Sequence, residues 1–169
     1  MSLARLVMAW PIFVILSRNT VEDNFLAYGL MLLAGVTDYF DGYFARKFNQ
    51  ESDMGRILDP LADKVLVGAI AIVLTTTHGM PLWFLLLIIG RDLAILFLGY
   101  FMVSKTKEIP ESNWPGKVAV TASALVLTVY VLPLEPYRAF FLWGGTAMLL
   151  ISTASYVVRF YQFIRAKDN

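Results

Sequence analysis

Six segments of the chain are rich in apolar residues, and short polar or proline-containing stretches separate them. A bilayer core about 30 Å thick is crossed by roughly 20 apolar residues in a helix, and most of the segments approach that length. Helices are predicted over residues 3–16, 25–44, from near Asp59 to 74, and over residues 82–103, 118–134 and 139–158. The pattern predicts an all-α integral membrane bundle of six transmembrane helices, in one domain covering residues 1–169.

The first apolar segment is short and contains Pro11. A secretory signal peptide is the competing interpretation, and it would place a small-residue cleavage site directly after the apolar run. Polar residues 17–20, Ser-Arg-Asn-Thr, follow instead. The sequence therefore favours a short first transmembrane span.

Composition agrees with a membrane protein. Of the 169 residues 58% are hydrophobic and 16% are charged, with a mean hydropathy of +0.64, whereas an average soluble domain is about 25% charged. The absence of cysteine excludes a disulfide-stapled secreted domain. A net charge of +1 offers no basic field for a nucleic acid partner.

The distribution of lysine and arginine predicts the orientation, because cytoplasmic loops carry an excess of both. With the N-terminus inside, eleven of the fourteen basic residues lie at cytoplasmic ends, and two, Arg18 and Arg138, lie on the opposite side. Arg91 stays within the membrane. Both termini are therefore predicted to face the cytoplasm.

Four aspartates gather at the cytoplasmic ends of the second and third predicted helices. Asp38 and Asp41 are three residues apart, and Asp59 and Asp63 are four apart, so each pair shares one face of its helix. A polar connection of about ten residues makes the two helices antiparallel neighbours, which allows the pairs to face each other. Close carboxylates repel unless cations lie between them, and ligands that are all oxygen favour Mg²⁺ or Mn²⁺.

Several residues at the cytoplasmic ends of these two helices also have a purely structural interpretation. Asp59 followed by Pro60 is a good N-cap with a proline in the first helical position. Gly42 and Ala45 are small residues of the kind that pack membrane helices, and Arg46 can anchor the cytoplasmic end. The joint pattern favours function, because carboxylates near a membrane are costly.

The complete pattern is Asp38-x-x-Asp41-Gly42-x-x-Ala45-Arg46, eight residues, then Gly55-x-x-x-Asp59-x-x-x-Asp63. Average residue usage gives such a set of eight fixed positions a chance probability on the order of 1 in 10⁸. The pattern resembles the signature of the CDP-alcohol phosphotransferase family at every fixed position, and the six-helix layout is similar along essentially the whole chain.

The resemblance implies an enzyme of phospholipid biosynthesis that transfers a phosphatidyl group from CDP-diacylglycerol to an alcohol and releases CMP. It assigns two divalent ions, Mg²⁺ or Mn²⁺, to the four aspartates, and a general-base role to Asp63. It also implies nucleotide binding by Gly42, Ala45, Arg46 and Gly55.

An acceptor phosphate would bind to basic residues that similar enzymes carry in the fourth helix and at the start of the fifth, here Arg91 and Lys117, with Arg159 as a further candidate. Their structural interpretations are an ion pair of Arg91 with Asp92 or another helix, and cytoplasmic anchoring for the other two. If the pocket forms, glycerol 3-phosphate is the natural acceptor.

The acceptor stays open between two branches of the family. The sequence Asp59-Pro60-Leu61-Ala62-Asp63-Lys64 resembles both phosphatidylglycerophosphate synthases and cardiolipin synthases of the CDP-alcohol type, the latter using phosphatidylglycerol. This chain has Arg91-Asp92 where phosphatidylglycerophosphate synthases usually have Arg-Glu. It has Ala119-Val120 where those synthases usually have Lys-Thr.

An ion transporter, which belongs to a different class of protein, would also use intramembrane carboxylates, but that interpretation predicts binding sites at the bilayer midplane and an internal repeat.

Family members are homodimers, so the resemblance implies a homodimer, with its active site at the cytoplasmic face of a membrane, such as the bacterial inner membrane.

Overall fold

The computed structural model describes the backbone of residues 2–47, 53–106 and 114–167, and the side chains of residues 7–37, 40, 47, 64–98, 114–162 and 164–165. Within these ranges the chain forms six α-helices and no strand. The helices are α1 (Ser2–Ser17), α2 (Val21–Lys47), α3 (Asp53–Thr77), α4 (Leu82–Thr106), α5 (Trp114–Val131) and α6 (Glu135–Lys167). The predicted all-helical architecture is confirmed for the part of the chain described.

Within the described residues, two helical segments are long and apolar enough to cross a membrane by length and composition, Trp114–Val131 and Glu135–Gln162. Shorter apolar helical stretches cover Val7–Ser17 and Lys64–Thr77. Only 22% of the most apolar stretch of α6 is buried within the protein. Large side chains such as Phe140 and Trp143 are 76% and 67% exposed, and a continuous apolar surface of this kind is typical of contact with lipid or a partner.

The chain divides into two compact units, residues 1–81 with 130–133, and residues 82–129 with 134–169. In the first unit α1 packs against both α2 and α3. Ile12 and Leu16 are buried on one face of α1, while the small residues Ala27 and Ala34 are buried seven residues apart on α2. Alanine at such positions permits close approach of membrane helices.

Local signals explain the turn between α1 and α2. Asn19 has a positive φ of 49° after the end of α1, a left-handed conformation that asparagine adopts more readily than most residues. The Thr20 hydroxyl oxygen accepts a hydrogen bond from the Asp23 amide at 3.1 Å. This is an N-cap, which satisfies one of the otherwise unpaired amides of the first helical turn.

A polar network that runs from the surface to buried His78 joins this turn to the end of α3. The Asn19 side-chain amide donates to the Thr77 carbonyl at 2.8 Å. The ring of buried His78 contacts the Thr77 hydroxyl through Nδ1 at 2.6 Å and the Asn24 amide oxygen through Nε2 at 3.0 Å. Gly79 follows with a positive φ of 74°, a left-handed conformation that glycine adopts without strain.

In the second unit α4 packs against α6. Trp83 and Trp143 lie with their ring centroids 5.9 Å apart. Gly145 of α6 faces the fully buried Val126 of α5 so closely that a Cβ at Gly145 would lie 2.6 Å from Val126 Cγ2. The absence of a side chain at Gly145 therefore sets how closely α6 approaches α5.

Candidate functional site

The motif is carried by two continuous helices. Asp38, Asp41, Gly42, Ala45 and Arg46 all lie in the second half of α2, which runs without a break to Lys47. At about 100° per residue, Asp38, Asp41, Gly42 and Ala45 fall within about 100° of the helix circumference. Arg46 lies at the edge of the same face. Side chains at these five positions lie outside the described part.

The second half of the motif lies on α3. Gly55, Asp59 and Asp63 follow each other at four-residue intervals and form one stripe along this helix. Their side chains also lie outside the described part. The helix begins at Asp53, so the interpretation of Asp59 as its N-cap, with Pro60 in the first helical position, is wrong. Asp59 lies six residues inside α3 and is therefore not needed to start it.

The residues at these positions suit a hard divalent cation. The four aspartates supply only oxygen donors, and their helical spacing gives each pair a common face. Among the side chains that the structure describes, no group of three histidine, cysteine, aspartate or glutamate residues forms a metal site. The four aspartates are not among those side chains, so the metal assignment rests on the helical register.

Arg91 lies in the middle of α4, and its side chain is only 9% exposed. Its Nη1 donates to the Asp92 carboxylate at 2.7 Å. Its Nη2 donates to the Ser152 hydroxyl at 3.0 Å and makes a longer contact of 3.5 Å with the Gly116 carbonyl. The ion pair with Asp92 is therefore present, and Arg91 in addition links α4 to α5 and α6.

The Nε–H of this guanidinium differs from the donors on the two terminal nitrogens. Arg91 Nε is buried and has no hydrogen-bond partner among the described residues. Leaving a buried donor unsatisfied costs about 1–3 kcal/mol, so such groups in native proteins call for an explanation.

The other two predicted acceptor residues lie in the same unit. Lys117 is exposed in the first turn of α5, directly after the Gly116 carbonyl that Arg91 contacts. Arg159 is exposed on α6, two helical turns after Ser152 and so on the same face. Arg91 therefore contacts the backbone directly before Lys117, and Arg159 lies on the same face of α6 as Ser152, which Arg91 also contacts.

Sequence reasoning missed Ser152. It stands beside Thr153 and near Ser155 in an otherwise apolar segment, and hydroxyls in such a segment commonly bond to their own helix, so Ser152 carries no local signal of function. The sequence does show that Gly145, Ser152 and Arg159 recur at seven-residue intervals and therefore share one face of α6, but this spacing does not identify Arg91 as the partner of Ser152.

Comparison with known proteins assigns the chain to a family. The profile of the CDP-alcohol phosphatidyltransferase family matches residues 1–152. The chain is 32% identical over 146 residues to a Bacillus subtilis protein named CDP-diacylglycerol–glycerol-3-phosphate 3-phosphatidyltransferase, covering 82% of this chain and 75% of the relative. Proteins of the same name from Escherichia coli K12 and Pseudomonas fluorescens are 40% identical over 126 residues and 31% over 165.

These matches cover 72% of this chain and 69% of the Escherichia coli protein, and 95% of this chain and 84% of the Pseudomonas protein. The family predicted from the aspartate motif is thus confirmed independently by similarity along most of the chain. The chain belongs to the CDP-alcohol phosphatidyltransferase family.

Proposed function

We propose that the protein transfers the phosphatidyl group of CDP-diacylglycerol to glycerol 3-phosphate, forming phosphatidylglycerophosphate and releasing CMP. The acceptor hydroxyl oxygen forms a bond to the phosphorus that carries diacylglycerol, and the bond from that phosphorus to the bridging pyrophosphate oxygen breaks. The hydroxyl proton passes to a protein base, and the electron pair of the broken bond leaves with CMP.

The observation that carries this proposal is the complete motif on the continuous helices α2 and α3. All eight fixed positions are present, and each half has the register that brings its carboxylates to one helix face. The choice of acceptor is supported by the names of the three relatives, each of which is called a glycerol-3-phosphate phosphatidyltransferase.

Asp38, Asp41, Asp59 and Asp63 would hold two divalent ions, Mg²⁺ or Mn²⁺. Enzymes of this family generally depend on a divalent metal ion. When bound, such ions neutralise charge on the pyrophosphate and on the attacking and leaving oxygens. Asp63 would in addition accept the proton of the acceptor hydroxyl, as a carboxylate general base.

The remaining motif positions would bind the cytidine nucleotide. Gly42 and Ala45 carry little or no side chain, which lets a ligand approach α2 closely. Arg46 would pair with a phosphate, for which a guanidinium is well shaped. Gly55, near the start of α3, would leave room over the base.

Arg91, Lys117 and Arg159 would bind the acceptor phosphate. The buried, unpaired Nε of Arg91 supports this role, because it offers a desolvated donor that no described residue satisfies. Lys117 lies in the first turn of α5, where the helix dipole and free amides favour an anion.

We also propose that the protein is a multi-pass membrane protein and a homodimer, with its active site and both termini on the cytoplasmic side. The excess of basic residues at the assigned cytoplasmic ends supports the orientation. The exposed apolar surface of α6 supports contact with lipid.

The test is CMP release from CDP-diacylglycerol by the detergent-purified protein with Mg²⁺. Asp63→Asn should lower the rate by at least about 100-fold, since general-base catalysis contributes 10²–10⁴. Asp23→Asn is the matched control, because Asp23 lies at the other end of α2, outside the motif. Equal rates for the two variants would rule out Asp63 as the base.

Acceptors are supplied singly in the same assay: glycerol 3-phosphate, phosphatidylglycerol, inositol phosphate and serine. Release that depends on phosphatidylglycerol alone would replace the proposed acceptor and make the protein a cardiolipin synthase. Chelation with EDTA should abolish release, and added Mg²⁺ or Mn²⁺ should restore it. Full activity in EDTA would contradict the two-ion assignment.

A further inference from the structure

Ser152 has an unusual hydrogen bond for a hydroxyl in an apolar helix. Such hydroxyls commonly donate to a carbonyl one turn back in their own helix, as Thr153 does to Leu149 at 2.8 Å. Ser152 is fully buried, with 0% exposure, and its hydroxyl oxygen accepts a hydrogen bond from Arg91 Nη2 at 3.0 Å. It is thus the α6 contact of Arg91, a largely buried charged group of α4.

This bond restrains Arg91 in a way that Asp92 alone does not. Asp92 is the next residue on the same helix and holds Nη1, so that pair can move together with α4. Ser152 lies 61 residues away and holds Nη2 from a second helix. With both terminal nitrogens fixed from different helices, the direction of the planar guanidinium and of its unpaired Nε–H is fixed as well.

We propose that Ser152 is a positioning residue, which orients the Arg91 guanidinium for the phosphate of the acceptor. This inference rests on the proposed function, since it requires Arg91 to bind that phosphate. Ser152 itself need not touch the substrate. Its contribution is to keep Arg91 from turning wholly toward Asp92, so that donors remain directed at the ligand.

The test is Ser152→Ala, assayed by CMP release with glycerol 3-phosphate and CDP-diacylglycerol varied in turn. The lost bond involves a charged donor, which corresponds to a change of about tenfold or more. We therefore expect KM for glycerol 3-phosphate to rise by about tenfold, with KM for CDP-diacylglycerol unchanged. A general loss of structure would instead affect both substrates.

Ser123→Ala is the matched control. Ser123 is also buried, and its hydroxyl donates to the Ala119 carbonyl of its own helix at 2.9 Å. The inference is overturned if Ser152→Ala changes both KM values alike, or changes acceptor KM no more than Ser123→Ala does. A wild-type protein that releases no CMP with glycerol 3-phosphate would contradict the proposed acceptor first, before any variant is compared.

Arg91→Lys provides a second, independent test, because lysine keeps the charge and lacks the planar fork. If Ser152 acts through the guanidinium, Ser152→Ala should raise the acceptor KM much less in the Arg91→Lys background than in the wild type. An equal increase in both backgrounds would show that Ser152 acts independently of Arg91, and would overturn the inference.

Discussion

Adjacent glycines in α6 provide a sharp test of the packing in the second unit. Gly145 is buried, and a Cβ there would lie 2.6 Å from Val126 Cγ2 and 3.5 Å from Phe84 Cζ. Gly144 is exposed, and a Cβ there would meet nothing within 4 Å. Gly145→Ala should therefore destabilise the protein relative to Gly144→Ala.

The two variants share the gain in helix propensity, since replacing glycine by alanine favours a helix by up to about 1 kcal/mol. Gly144→Ala should show that gain alone. Gly145→Ala adds a methyl group against Val126, which is stiff because it is β-branched and is fully buried. Overpacking of this kind costs about 1–3 kcal/mol, and the difference between the variants isolates that cost.

The assay is thermal unfolding of the purified protein in detergent, at one fixed heating rate. For a chain of this size, 1 kcal/mol shifts Tm by about 2–4 °C. We therefore expect Tm of Gly145→Ala to lie about 2–12 °C below that of Gly144→Ala. A Tm for Gly145→Ala equal to or above that of the control would refute the close contact between α5 and α6.

Val126→Ala completes a double-mutant cycle. Alone it should destabilise, because it removes two buried methyl groups and leaves a cavity. Combined with Gly145→Ala it also removes the Cγ2 atom that the new Cβ would meet. The two changes should therefore couple favourably by about 1 kcal/mol or more, whereas simple additivity would show that the methyl is accommodated elsewhere.

Two further predictions concern the first unit and the orientation. Asn24→Ala removes the amide that contacts buried His78, so stability should fall by about 1–3 kcal/mol; an unchanged Tm in detergent would contradict this. The chain has no cysteine, so Glu22→Cys and Arg165→Cys can be probed with a membrane-impermeant maleimide in intact cells. Only Glu22→Cys should be labelled, and labelling of Arg165→Cys alone would reverse the proposed orientation.

The six helices were predictable because each apolar run is separated from the next by polar or proline-containing residues. Their ends were predicted less well, since hydropathy reports where lipid contact ends rather than where helical hydrogen bonding ends. Helix α6 continues nine residues past the predicted boundary at 158, into a basic stretch that ends at Lys167. Helix α5 begins at Trp114, ahead of the apolar run, with Pro115 in its first turn, where a missing amide costs nothing.

The start of α3 was mispredicted for a different reason. Asp59-Pro60 is a strong local signal for a helix start, yet α3 already begins at Asp53. Near a membrane every backbone polar group gains from an internal partner, so a helix can be extended past a residue pair that would begin it in water. The consequence for the motif is favourable, because Gly55 joins the same helix as Asp59 and Asp63.

The partners of Arg91 show a limit of local patterns. The ion pair with Asp92 was foreseeable because the residues are adjacent, whereas the bond to Ser152 joins positions 61 residues apart. Nothing in the composition of α6 distinguishes Ser152 from Thr153, whose hydroxyl bonds to its own helix. Such a pair is decided by how α4 and α6 pack, which sequence periodicity alone does not specify.

The surroundings of Arg91 also indicate how an acceptor phosphate would be recognised. Since Asp92 at 2.7 Å already offsets the charge of Arg91, this arginine offers little net positive charge to a phosphate dianion. The contribution of Arg91 is geometric. A guanidinium has five N–H donors in one fixed plane, and three of them contact Asp92, Ser152 and Gly116, which fixes the direction of the others. In the proposed site, net attraction for the phosphate would then come from Lys117, the N-terminus of α5 and Arg159, while Arg91 would set its orientation. Replacing Lys117 should accordingly weaken acceptor binding in a salt-dependent way, and replacing Ser152 should weaken it at every ionic strength.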